Sequence, residues 1–246
     1  MSTKARYVGG VERRYESTTQ ETVSVPGAPV MFYDDFYGSD VVIPAAGSPE
    51  SGVRWVKKIV GAAPPTVGIK ADETNGVLEC AMDATSEKQN AEAYFNDELQ
   101  FSIAQGLVFE ARFKPSVLPT GNGEIVLGLI SAWADGLDAA TYSVFVTLDG
   151  SGEIICEKDD NATDESATSG VTLLNTDWAI ARIDCTDPTN IQFFVNGNPV
   201  ATGTTFDWAA SAANSKVQPI VGCYKASGTG LGTLLVDYVR VWQNRS

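Results

Sequence analysis

Two alternating runs joined by a polar break constrain the fold of this chain more than any other feature. The first is Asp177-Trp178-Ala179-Ile180-Ala181-Arg182-Ile183-Asp184. After Asp187-Pro188-Thr189-Asn190 comes the second, Ile191-Gln192-Phe193-Phe194-Val195-Asn196-Gly197-Asn198-Pro199-Val200. Apolar and polar side chains alternating at period two describe a strand with one buried face. Asn-Gly supplies the positive φ values of a tight hairpin turn. The stretch therefore predicts two hairpins in series. The rest of the chain agrees with many short strands, since 23 Gly and 11 Pro punctuate a sequence rich in Thr, Val and Ser. Long helical periodicity is absent, and the segment from Ala84 to Ala93 lacks a continuous apolar face, which predicts a loop or one turn there. With 246 residues the chain is long enough to bury one sizeable core.

The order of these landmarks resembles that of concanavalin A-like sandwiches, a superfamily that includes laminin-G-like domains and laminarinase-type glucanases. Leu234-Leu235-Val236-Asp237-Tyr238-Val239-Arg240-Val241-Trp242 is similar to the closing strand of that superfamily. Upstream, Phe32-Tyr33-Asp34-Asp35-Phe36 resembles its opening element, and Gly106-Leu107-Val108-Phe109-Glu110-Ala111-Arg112-Phe113-Lys114 resembles a strand that precedes a Gly-rich turn, here Thr120-Gly121-Asn122-Gly123. An apolar strand then leads to Ser131-Ala132-Trp133. The resemblance implies an all-β, concanavalin A-like jelly-roll sandwich of two antiparallel sheets over residues 31–246, preceded by an extended N-terminal arm over residues 1–30.

Net charge and residue usage exclude several classes. The formal charge of −14, from 31 acidic and 17 basic residues, disfavours a nucleic-acid partner, because a phosphate backbone requires a basic surface. No apolar run approaches the roughly 20 residues of a membrane-spanning helix. Residues 1–10 are polar and lack an apolar stretch, which predicts a product that does not enter the general secretion route. Cys80, Cys156, Cys185 and Cys223 lie far apart in strand-like contexts, without the short paired spacing of a zinc site, and read as buried free thiols. There is no histidine, so His-based triads and His metal ligands are excluded.

The glucanase branch implies an E-x-D-x-x-E strand that sets two carboxylates at catalytic separation. No such sextet occurs. The matching strand by order is Thr141 to Leu148, which has no carboxylate, and the nearest imitation, Glu157-Lys158-Asp159-Asp160-Asn161-Ala162, ends in Ala162 and runs into a polar loop. The sequence therefore predicts a protein that is not an enzyme. Carbohydrate binding without catalysis stays open, since an aromatic ring can stack on a sugar. Trp178 and Trp242 occupy core positions of the resemblance, whereas Trp133 and Trp208 lie at strand-to-loop transitions and are the candidate glycan contacts. In the glucanase branch an Asp of the closing strand can join a structural calcium, and Asp237 is the matching position; a strand ion pair is the alternative.

Residues 1–30 carry a net +1 against −15 for the rest. The Ser17-Thr18-Thr19-Gln20-Glu21-Thr22 stretch and the Pro26-Gly27-Ala28-Pro29 boundary predict an extended polar lead, ordered by a neighbouring chain through Lys4, Arg6, Arg13 and Arg14. The whole pattern resembles concanavalin A-like proteins of tailed-bacteriophage virions. That resemblance implies a capsid decoration or head-fibre protein assembled in the host cytoplasm, with other capsid proteins or copies of itself as partners. The alternative is a carbohydrate-binding module or host-surface adhesin.

Overall fold

A computed structural model describes residues 3–8, 11–18, 20, 22–24, 30–37, 45, 54–63, 65–136, 139–212 and 215–245. Two eight-stranded antiparallel sheets form a jelly-roll-like sandwich, as the alternation predicts. In sheet I the order is β17 (Asn198–Val200), β16 (Gln192–Val195), β15 (Ala179–Cys185), β10 (Leu107–Val117), β19 (Thr233–Gln243), β7 (Leu78–Ala81) and β6 (Thr66–Ile69), with β4 (Val30–Asp34) also paired to β19. In sheet II it is β14 (Asp164–Thr172), β13 (Glu153–Asp159), β12 (Ser143–Leu148), β11 (Gly123–Ile130), β18 (Lys216–Lys225), β8 (Gln89–Tyr94) and β5 (Val56–Val60), with β9 (Phe101–Ser102) on β18. The remaining strands, β1 (Thr3–Val8), β2 (Val11–Glu16) and β3 (Thr22–Ser24), form a separate three-stranded sheet.

The core lies between the inner faces of sheets I and II. On β10 the inward side chains are Leu107, Phe109, Ala111 and Phe113, in strict period two, and they meet Ile125, Leu127, Leu129, Val144, Val146 and Leu148 from sheet II. On β19 the inward set changes parity, from Leu234 and Val236 to Val239 and Val241. The cause is a β-bulge. Arg112 pairs with Tyr238 and Phe113 with Val236, so Asp237 is the extra residue that shifts the later side chains by one face. The Trp178 stretch forms the predicted hairpins, β15 to β16 to β17, with Asn196 and Gly197 both at positive φ in the last turn.

Three expectations from the sequence read differently in the structure. Thr3–Val8, Val11–Glu16 and Thr22–Ser24 form strands where an extended polar lead is predicted, with Arg6 in register opposite Arg13 and with Glu16 buried. The segment from Ala84 to Ala93 contains no helix, and its second half is β8, a strand buried along its whole length. Trp178 is only partly buried and sits outside the core, where Arg112 and Lys114 lie over its ring at 4.5 and 5.0 Å. Among the described residues no helix is long and apolar enough to cross a membrane.

Candidate functional site

The outer face of sheet II is where polar chemistry collects. Along β8, Ala91 and Ala93 point into the core, so Asn90, Glu92 and Tyr94 point out. They are nevertheless buried, and the loop after β11 lies over Glu92 and Tyr94. Trp133, Ala134 and Ala140 of that loop pack with Val56, Tyr94, Val126, Ile130, Phe145 and Ile220 into a second apolar cluster on the far side of the sheet from the core.

Glu92 sits at the edge of that cluster with no solvent exposure. Its Oε2 accepts the indole N–H of Trp133 at 2.6 Å, and its Oε1 accepts from Asn90 Nδ2 at 3.0 Å. Burial pushes the Glu92 carboxyl up to about 7, against the two hydrogen bonds and the positive charge of Lys58, which hold it down. The Lys58 ammonium lies 4.0 Å from the centre of the Trp133 ring. Gly222, opposite Glu92 on β18, leaves the space this side chain occupies: a Cβ there would lie 2.4 Å from the Ala91 carbonyl and 2.8 Å from Glu92 Cγ. Burial also pushes Tyr94 up to about 12, with the charges of Asp97 and Glu92 adding to the shift.

The covering loop is held at several points. Asp97 accepts the Trp133 backbone N–H at 2.7 Å and Gln218 Nε2 at 2.8 Å, and Lys88 pairs with Asp135 at 2.7 Å. Beside it an open groove of about 650 Å³ runs over sheet II, lined by Tyr224, Glu124, Asp149, Asn122 and Gly136 among others. Tyr224 joins groove and carboxyl. It pairs with Asn90 across the β18–β8 ladder, two residues along from the Gly222–Glu92 pair. Glu92, Asn90, Tyr224 and Glu124 thus lie on the same face of three adjacent strands, a half-buried aromatic ring between carboxyl groups. Such a surface offers a stacking plane and hydrogen-bond acceptors at once.

The residues singled out from the sequence fall in different places. Trp133 belongs to this site, as the side chain over Glu92. Trp208 is wholly buried on the core side, tilted against Tyr142, with its Nε1–H donated to Ser215 Oγ at 2.7 Å. Asp237 is ion-paired with Arg112 at 2.5 Å, and among the described residues no group of three or more His, Cys, Asp or Glu side chains is placed to hold a metal. Lys4 and Arg14 are exposed on the small N-terminal sheet, while the side chains of Arg6 and Arg13 lie outside the described residues. Glu92 escaped the sequence reading because it lies in a polar stretch, Gln89-Asn90-Ala91-Glu92-Ala93-Tyr94, whose Asn/Ala/Glu/Ala/Tyr alternation was its one visible signal.

No protein-family model and no curated protein matches this sequence. Solved structures match its fold. A β-1,3-glucanase from Mycobacterium marinum, 20% identical, gives a TM-score of 0.55 over 88% of this chain and 100% of its own. Alginate lyase A1-II′ of polysaccharide lyase family 7, 19% identical, gives 0.52 over 70% and 82%. A structure from work on endo-acting O-glycanases of the human gut microbiota, 14% identical, gives 0.59 over 87% and 99%. At these identities the likeness is one of fold.

Two readings from the sequence are corrected here. The virion reading draws on the basic N-terminal arm together with the Phe32-Tyr33-Asp34-Asp35-Phe36 opening and the closing strand. Those strands build a sandwich that carbohydrate-active enzymes share, so they specify the fold and not a capsid component or capsid partners. The non-enzymatic reading rested on the bare strand from Thr141 to Leu148. That strand is β12 of sheet II, and acidic groups reach the outer face of the same sheet from other strands, Glu92 from β8 and Glu124 from β11. A missing sextet on one strand therefore does not remove acid chemistry from the face, and solved structures that share this fold include an alginate lyase and a β-1,3-glucanase.

Proposed function

We propose that this protein acts on carbohydrate, with an oligosaccharide held in the groove on the outer face of sheet II and Glu92 as the proton-transferring group. The observation that carries this reading is Glu92 itself, a carboxyl on the groove side of the sheet held near 7, where it is both donor and acceptor at neutral pH. Tyr224 supplies the face for a sugar ring, and Glu124 and Asp149 accept hydrogen bonds from its hydroxyls. For hydrolysis, Glu92 gives its proton to the departing glycosidic oxygen while Glu124 or Asp149 takes a proton from the water that attacks the anomeric carbon, so that the bond to the leaving sugar is replaced by one to the water oxygen. Trp133 moves off Glu92 for substrate to reach it.

Recognition without turnover is the second reading, favoured by one observation: Glu92 is completely covered by Trp133. Incubation of the wild type, Glu92→Gln and Tyr224→Ala with neutral β-glucans, alginate and mucin glycans separates the two. Release of soluble fragments, lost in both variants, supports the enzyme. Retardation in glycan-containing native gels without release, lost in Tyr224→Ala, supports the binding module. Neither release nor retardation with any of these glycans overturns the carbohydrate reading.

A further inference from the structure

A buried ammonium stands at the lip of the groove with no part in the chemistry above. Lys225, the last residue of β18, is fully buried. Its Nζ donates to three main-chain carbonyls, those of Asp83 at 2.6 Å, Thr85 at 2.9 Å and Gly230 at 3.0 Å. Three donors meet three acceptors, and the group is saturated. The Asp83 and Glu87 carboxylates add negative potential, while burial draws the lysine below its ordinary range. Burying an ammonium is costly unless its surroundings are built for it. Convergent main-chain carbonyls beside carboxylates are the donor set of a hard cation.

The cage joins two loops and passes the constraint to the groove. Gly230 is closed against the turn before β11, since a Cβ there would lie 2.1 Å from the Thr120 carbonyl. Thr120 and Leu231 exchange two hydrogen bonds, Thr120 N–H to the Leu231 carbonyl and Leu231 N–H to Thr120 Oγ1, both 2.8 Å. The next residues, Gly121 to Gly123, line the groove, as does Ala226 directly after the lysine.

We propose that Lys225 is a tethered cation, filling with its ammonium a carbonyl cage that a free ion could otherwise occupy, and that it is thereby a positioning residue for the lip of the groove. The second half rests on the carbohydrate reading; the cage does not. Lys225→Ala empties the cage and leaves room for a small cation. Its melting temperature is expected to fall by more than about 5 °C and to recover in part with propylammonium or potassium chloride, but not with tetramethylammonium chloride, which matches ionic strength and is too large to enter. Wild-type melting is expected to respond equally to all three salts. Lys225→Met, which keeps the stem and loses the charge, is expected to bind the groove glycan about tenfold more weakly. Equal response of Lys225→Ala to all three salts overturns the cage, and unchanged affinity in Lys225→Met overturns the positioning role. Should neither variant fold, Thr120→Val tests the same link from outside the cage: weaker glycan affinity with near wild-type melting supports it, and unchanged affinity overturns it. If the wild type binds no glycan, the carbohydrate reading fails, while salt rescue still decides the cage.

Discussion

Trp133 donates its indole N–H to Glu92 at 2.6 Å while Lys58 rests its ammonium 4.0 Å from the same ring. One aromatic side chain thus seals a carboxyl from water and carries the cation that offsets its charge. The cost of that seal is visible in the carboxyl, which burial pushes up to about 7.

This shift sets the sign of a stability effect. Because the folded-state value lies above that of an unfolded glutamate, the folded protein holds the extra proton between about pH 4.5 and 7, and stability falls as pH rises through that window. The penalty is complete above it. Glu92→Gln removes the titration, so its melting temperature relative to wild type is expected to be higher at pH 8.5 than at pH 5, by a free-energy difference on the order of a few kcal/mol. Thermal melts of both proteins across pH 5 to 8.5 check this, and a difference that does not vary with pH refutes it.

Tyr224 and Trp208 divide binding from packing. Tyr224 is half-buried and lines the groove, whereas Trp208 is enclosed in the core. Tyr224→Ala is expected to abolish glycan retardation in native gels with little loss of stability. Trp208→Ala is expected to cost about 3–5 kcal/mol through the cavity it leaves. A Tyr224→Ala variant that retains full affinity would place the sugar elsewhere.

Legibility followed hydrophobic periodicity. The strands Ala179–Cys185, Gln192–Val195, Asn198–Val200 and Thr233–Gln243 lie where the sequence predicts. The site is less legible because its defining strand inverts the rule that polar side chains face water: Asn90 and Glu92 point outward from the sheet yet are buried, Glu92 beneath a loop some forty residues later. Only the tertiary fold brings Trp133 over Glu92, and nothing local to either residue encodes that contact. The parity change on β19 was hidden for a similar reason, since Asp237 is the extra residue only relative to β10. An acid pair is legible in sequence only when one strand carries both carboxylates, whereas in this sheet Glu92 and Glu124 stand on different strands.

The cysteines provide a test of the core. All four are buried and unpaired, and burial pushes the thiols of Cys156 and Cys223 up to about 12. Since the thiolate is the reactive form, native protein is expected to react slowly with a maleimide or disulfide reagent and to react fully once unfolded. Stoichiometric labelling within seconds at pH 7.5 in the absence of denaturant would contradict this.

The β-bulge at Asp237 supports the sharpest mutational contrast. Asp237 is the residue without a partner on β10, and its carboxylate ion-pairs with Arg112, whose guanidinium in turn lies 4.5 Å from the centre of the Trp178 ring. Asp237→Ala leaves the bulge in place and removes only the charge partner, so it is expected to cost roughly 1–3 kcal/mol, reduced by the partial exposure of Arg112. A double-mutant cycle with Arg112→Met is expected to show that this cost largely disappears when the arginine is gone. Deleting Asp237 is a different perturbation. It removes the extra residue, so Val236 and Tyr238 become consecutive opposite Phe113 and Arg112, and the later side chains keep their faces, with Val239 and Val241 still inward. Arg240 stays on the outer face and the ladder runs without a bulge, so the deletion variant is expected to fold, at a cost similar to that of losing the Arg112 ion pair. Circular dichroism and urea melts of these variants decide the matter: an unfolded deletion variant, or an Asp237→Ala cost undiminished in the Arg112→Met background, would show that Asp237 is more than an extra residue with an ion pair.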